Sequence, residues 1–274
     1  MPNRILVIGL GELGEEVVKS LATHPTRGST EIAVLLRSRK LEQLHRLEYW
    51  NVEAVSGDVV QDSLHDLARM FSNYETVICC TGMYAPPATQ IKILEAVLAA
   101  GVKRYFPWQF GIDYDVIGRN SSQDLFDSQL DVRDILRSQS STTWVIVSTG
   151  MFISFLFEPA FGLVNAERNV VTGIGSWENE ITVTSPEDIG RLTAEIALAH
   201  PEAQGVLYTA GDTISMSGLA NVVAKVTGKE VTRVLKTVPD LEAELGKDPL
   251  DGMRKYRVVF AQGRGVAFGE KARA

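Results

Sequence analysis

Three features of the 274-residue chain predict an α/β fold built on a doubly wound parallel sheet. The first apolar run, Ile5-Leu6-Val7-Ile8, enters a glycine-rich turn, Gly9-Leu10-Gly11-Glu12-Leu13-Gly14, that opens a helix with Val17, Val18 and Leu21 on one face. Short buried strands and helical periodicities then alternate up to residue 150, and such alternation makes a right-handed parallel sheet. Beyond that point the pattern loosens into shorter strands and further helices, without a linker. The expectation is a Rossmann-like sheet over residues 1–150 and a smaller substrate-binding lobe over 151–274, interwoven with the first part rather than independent of it.

The glycines fit G-x-G-x-x-G in the required place, after a strand and before a helix. Gly9 permits the tight turn, Gly11 lets a pyrophosphate approach the backbone, and Gly14 lets the helix pack close to the strand. Glu12 and Leu13 begin the helix whose free N–H groups and positive dipole end face the phosphates. The second strand, Glu31–Leu36, ends in Arg37-Ser38-Arg39-Lys40, where an NAD-binding fold carries a carboxylate for the ribose 2′-hydroxyl. Three cations stand there instead. Arg37 suits a 2′-phosphate, with Arg39 or Lys40 adding charge, so the expected cofactor is NADPH.

Helices are expected at 41–50, 62–71 and 90–100, and strands at 52–55, 77–80 and 103–106. Strand C-termini of an open parallel sheet face the ligand crevice, which places Thr81-Gly82-Met83 and Pro107-Trp108 beside the cofactor. Residues 113–123 read as a polar loop, 125–137 as a helix and 144–148 as a sixth strand. The stretch 151–161, MFISFLFEPAF, is rich in aromatics. Met151, Phe152, Phe155 and Trp177 are candidates to line an aromatic substrate pocket with Trp108, Gln109 and the isolated carboxylate Glu158; the competing reading of such a run is plain core. Later strands are expected at 170–171, 181–183 and 206–208, and helices at 186–198 and 217–227.

Composition narrows the function. The chain is 45% hydrophobic and 22% charged, with net charge −7 and scattered basic residues, which disfavours a nucleic-acid partner. No apolar run approaches the ~20 residues of a membrane helix and no signal peptide is read, so a cytoplasmic protein acting on a small molecule, as monomer or homodimer, is expected. Cys79 and Cys80 are adjacent on a strand and point to opposite faces, so they are expected as reduced thiols. His24, His45, His65 and His200 match no metal-ligand spacing, and no metal is expected.

At Arg104-Tyr105-Phe106-Pro107-Trp108-Gln109-Phe110-Gly111 the sequence resembles the NmrA-like and isoflavone-reductase-like branch of the atypical short-chain dehydrogenases, especially its fungal members. Plant reductases carry P-S-E-F-G where this chain has P-W-Q-F-G. The glycine motif, Arg37, Val132-Arg133, Val147-Ser148 and Thr184-Ser185-Pro186-Glu187-Asp188-Ile189-Gly190 extend the resemblance over residues 4–235. It implies a Rossmann domain, NADPH, and reduction of aromatic, polyketide-like or alkaloid-like small molecules in secondary metabolism, and the family also holds cofactor-binding sensors without turnover. Plant members place a catalytic lysine just before the V-R pair. The ungapped match puts Gln129 there, and no lysine lies between Lys103 and Lys225. The Tyr-x-x-x-Lys pair of ordinary short-chain enzymes is absent as well.

The proton donor must therefore come from elsewhere. Tyr114 through its phenol, and Asp113 or Asp124 through a carboxyl raised by burial, are the candidates after the fifth strand; Gln129 orients by hydrogen bonds only. An imine or iminium substrate needs no proton on oxygen, and carboxylates with Trp108 suit a cation. The expected function is NADPH-dependent reduction of a C=O, C=C or C=N bond in a small aromatic or heterocyclic intermediate, of the alkaloid kind if cationic. The alternatives are a Pictet-Spengler-like acid/base cyclase joining an amine and an aldehyde, and a non-catalytic NADP(H)-sensing regulator.

Overall fold

A computed structural model describes residues 3–38, 40–82, 85, 86 and 88–268. In chain order its elements begin β1 (Arg4–Ile8), α1 (Glu12–Thr23), β2 (Glu31–Leu36), α2 (Leu41–Tyr49), β3 (Glu53–Ser56), α3 (Leu64–Phe71), β4 (Thr76–Cys79), α4 (Ala88–Ala99) and β5 (Arg104–Phe106). There follow α5 (Tyr114–Ile117), α6 (Leu125–Arg137), β6 (Thr143–Ser148), β7 (Met151–Phe152), a 3₁₀ turn (Ile153–Phe157), β8 (Val170–Ile174), β9 (Glu180–Thr184) and α7 (Pro186–Ala199). The last are β10 (Gly205–Tyr208), β11 (Asp212–Ser215), α8 (Met216–Thr227), β12 (Thr232–Lys236), α9 (Val238–Lys247) and α10 (Gly252–Ala261).

The chain divides into two compact units, each made of three stretches. Met1–Phe110, Asp131–Val147 and Pro186–Leu207 form the first; Gly111–Leu130, Ser148–Ser185 and Tyr208–Ala274 form the second. The second unit thus begins well before residue 150, and the first resumes after it with α7.

The first unit is built on a seven-stranded sheet of order β10-β6-β5-β4-β1-β2-β3. β1 pairs in parallel with both β2 and β4, and the parallel pairing continues from β2 to β3 and from β4 through β5 to β6. The strand order reverses between β1 and β4, the topological switch point where open α/β sheets hold ligands. Covered on both faces, the central strands read as continuous apolar runs: Ile5, Leu6, Val7 and Ile8 are all buried. Leu6, Val77 and Tyr105 share one core with Phe71 of α3, Ile93 of α4 and Leu136 of α6. α1 lies against α7 so closely that a Cβ on Gly190 would stand 2.5 Å from the carbonyl oxygen of Glu16. Buried Arg104 closes the other end of α7, donating to the carbonyls of Ile196, Ala197, His200 and Ala203.

The second unit holds a three-stranded sheet, β11-β9-β7, and the parallel pair β12-β8. β9 runs antiparallel to β11 and parallel to β7. Its core gathers Phe126, Phe161, Val171, Ile181, Leu219 and Phe260, with aromatic contacts between Tyr114 and Phe126 at 5.0 Å and between Phe155 and Phe161 at 4.8 Å. The expected polar loop at 113–123 contains the short helix α5, whose first turn Asp113 caps by accepting from Val116 N. Among the described residues no helix is long and apolar enough to cross a membrane.

Candidate cofactor crevice and active-site residues

The three motif glycines have three different physical reasons. Gly9 has φ +92°, a left-handed conformation that a side chain rarely adopts, and a Cβ there would collide with Thr81 Oγ1. Gly14 is a packing glycine: its Cβ would stand 2.2 Å from the carbonyl oxygen of Gly9. Gly11 has ordinary extended backbone, φ −85°, and a Cβ built on it meets no atom within 4 Å. Its lack of a side chain keeps open a space the protein itself does not fill. Gly11 is also the N-cap of α1, and no side chain caps that helix. An open approach to an uncapped helix N-terminus fits a diphosphate. Leu13 contributes only backbone, its side chain being core, while Glu12 is exposed and Glu15 pairs with Arg46 of α2.

Arg37 and Lys40 stand exposed at the end of β2. Arg39 and Met83 lie outside the described residues. Thr81 and Gly82 follow β4, and Pro107 and Trp108 follow β5, all at the carboxyl edge of the sheet around the switch point. The Trp108 indole lies on Gly82: a Cβ on that glycine would be 1.9 Å from the ring.

Beneath this edge runs a buried polar layer that sequence reasoning missed. Gln90 of α4, 3% exposed, donates from Nε2 to the Thr81 carbonyl at 2.8 Å, and the Cys79 thiol donates to the same carbonyl at 3.3 Å. Burial pushes the Cys79 thiol up to about 12 and Cys80 well above its usual value. Gln109 was expected to face substrate; it is instead 1% exposed, and its Oε1 accepts from Arg133 Nε at 2.7 Å. The V-R pair thus supplies the arginine that fixes the P-W-Q-F-G turn. A glutamine on the apolar face of α4 was the readable sign of this layer.

The expected proton donors all lie in the second unit and separate by environment. Asp124 is not buried: its side chain is 74% exposed, and Lys255 Nζ, 2.7 Å away, holds its carboxyl below the ordinary range. Tyr114 is built into the core, its ring on Phe126 and its hydroxyl against Gly111. Gln129 is buried in α6. Asp113 is 2% exposed, and its Oδ2 accepts from the Tyr208 hydroxyl at 2.8 Å. Tyr208, half-buried on β10 with its ring edge-to-face on Phe268, was not anticipated.

The aromatic candidates are divided similarly. Met151 is core, and Phe155 packs between Phe161 and Tyr256 at the core margin. Trp177 lies on Gly173 with the Arg233 guanidinium over its ring. Glu158 ends the 3₁₀ turn, its carboxylate accepting from Ala160 N. Phe152 remains half-buried on β7. Among the described residues no cluster of His, Cys, Asp and Glu could hold a metal ion.

The sequence pattern of the NmrA-like family matches residues 1–253. The chain is 44% identical to an NmrA-like family domain-containing oxidoreductase of Gibberella moniliformis, over 98% of this chain and 91% of that protein. It is 25% identical to a phenylcoumaran benzylic ether reductase of Populus trichocarpa, over 97% of this chain and 87% of that protein. Among solved structures, the binary complex of leucoanthocyanidin reductase and NADPH from Vitis vinifera superposes with a TM-score of 0.80 at 18% identity, covering 97% of this chain and 89% of that one.

Proposed function

We propose that this chain, which belongs to the NmrA-like family, is an NADPH-dependent reductase of a small aromatic or heterocyclic intermediate of secondary metabolism. The observation that carries the reading is the pairing of an open Gly11 and uncapped α1 with the exposed Arg37 and Lys40 at the end of β2. The first suits a dinucleotide diphosphate, and the second suits a 2′-phosphate rather than a 2′-hydroxyl. Family membership and relatives named as oxidoreductases support the same reading.

Bound NADPH supplies a hydride. The chain must position it, exclude water and manage the proton that a carbonyl or enone requires. Thr81, Gly82, Pro107 and Trp108 form the crevice edge, and the Gln90, Cys79 and Gln109–Arg133 contacts hold that edge rigid. For the proton, the reading assigns Asp113 with Tyr208. Asp113 is a buried carboxyl that accepts from the hydroxyl of half-buried Tyr208 at 2.8 Å, which supports the pair as a proton source. An iminium substrate needs no such delivery.

The test is NADPH consumption against a panel of aromatic ketones, enones and cyclic imines, with products analysed with and without NADPH. Reduced product that forms only with NADPH supports the reading. Tyr208→Phe lowers kcat for carbonyl substrates and spares cyclic imines. Condensation without NADPH establishes the cyclase instead. A non-catalytic NADP(H)-binding regulator is the second reading. It is favoured by Gln129 at the lysine position and by the Lys255 pairing that withdraws Asp124 from proton transfer. Tight NADPH binding with no turnover across the panel would establish it.

A further inference from the structure

We propose that the Trp108 indole, seated on Gly82, is a platform for the nicotinamide half of the cofactor and has no part in holding the adenosine half. This rests on the NADPH reading above. The strand ends bearing the crevice residues follow in the order β2, β1, β4, β5. They carry Arg37 and Lys40, then Gly9 to Gly11, then Thr81 and Gly82, then Trp108. Strands lie ~4.8 Å apart, so β2 to β5 spans ~14 Å across three intervals. A dinucleotide with its 2′-phosphate on Arg37 and its diphosphate at α1 has only the β4–β5 side left for its nicotinamide. That side offers a flat aromatic surface.

The ring is held in place. Trp108 packs against the core that holds Phe71, Ile93 and Tyr105, and the next residue, Gln109, is tied to Arg133. Gly82 does not have a left-handed backbone, so its conformation does not demand glycine. What demands it is the indole: a Cβ would stand 1.9, 2.0 and 2.6 Å from three ring atoms. Gly82 and Trp108 are therefore a matched pair. Trp108 is only half-buried, which leaves part of the ring accessible.

The test titrates NADPH and adenosine 2′,5′-bisphosphate, which lacks the nicotinamide half, into wild type, Trp108→Ala, Trp108→Phe and Gly82→Ala. Stacking of this kind corresponds to about three- to tenfold in affinity, so Trp108→Ala weakens NADPH by that factor and leaves the bisphosphate within about twofold. Trp108→Phe, the variant least disturbing to the fold, keeps most of the NADPH affinity. Gly82→Ala reproduces the selective loss, because its Cβ displaces the ring. Equal losses for both ligands, or no loss for NADPH, overturn the platform. Tighter NADPH binding in Trp108→Ala also overturns it, because the ring would then occupy the nicotinamide's place. If wild type binds both ligands and the variants are indifferent, the platform alone falls. If wild type binds neither, the NADPH reading falls with it.

Discussion

Two glycines three residues apart differ in what a methyl group would meet, and that difference separates binding from stability. At Gly11 the added Cβ meets nothing, so Gly11→Ala leaves stability within about 0.5 kcal/mol while obstructing the diphosphate. At Gly14 it strikes the Gly9 carbonyl, and Gly14→Ala costs about 1–3 kcal/mol through forced backbone shifts. Thermal unfolding beside nucleotide titration checks both; a destabilised Gly11→Ala that still binds NADPH would contradict the assignment. Asp124 gives a pH-dependent prediction. Its carboxyl is lowered by Lys255, so the pair stabilises above the unfolded carboxyl range and the contribution is lost as pH falls through the folded value. Because the carboxylate is mostly exposed, solvent screening limits Asp124→Asn to about 0.2–1 kcal/mol at pH 7 and low salt. Unfolding curves of the two proteins converge only in acid below the ordinary carboxylate range, and turnover at pH 7 is unchanged; a large drop in kcat would restore Asp124 as a proton donor. The Cys79 thiol, pushed up to about 12 by burial, stays unmodified by a thiol reagent at pH 8 in the native protein and reacts once the protein is unfolded.

At the scale of elements, the glycine-rich loop after β1 depends on α1, and α1 depends on α7. Gly190, the glycine of the later E-D-I-G motif, lets the two helices approach until backbone meets backbone. Gly190→Ala forces them apart, costs about 1–3 kcal/mol, and weakens NADPH binding through the shifted α1. A variant as stable as wild type, with unchanged affinity, would show that the helices move independently. Arg104 anchors the far end of the same helix with four carbonyl bonds. Neither dependence was legible in the sequence, because a glycine in a helix and an arginine in a strand carry no mark of their long-range partners. The elements of the first unit were legible, since buried strands followed by amphipathic helices leave strong periodic patterns. In the second unit β11, β12, α9 and α10 escaped notice. The capping box of Thr237 and Asp240 and the N-cap Asp251 were local signals for the two helices. The exposed strand β12 had no buried pattern to read.

For the whole molecule, the parallel sheet and its switch point followed from the order of elements, whereas the division into units did not. The chain leaves the first unit after Phe110 and returns to it at Asp131 and Pro186, and no composition shift marks those points. The candidate site shows the same contrast. The glycine motif and the cations after β2 were legible because phosphate recognition is local in sequence. The Asp113–Tyr208 bond and the Gln109–Arg133 bond join distant segments, so neither could be read from spacing. The central claim is that the crevice selects a 2′-phosphorylated dinucleotide. Its most direct test is calorimetric titration of NADPH and NADH into wild type and Arg37→Ala. The account predicts a preference for NADPH of at least about tenfold in wild type, from charge-assisted bonds to the 2′-phosphate, and its loss in Arg37→Ala. Equal binding of the two nucleotides by wild type, or no binding of either, would contradict it.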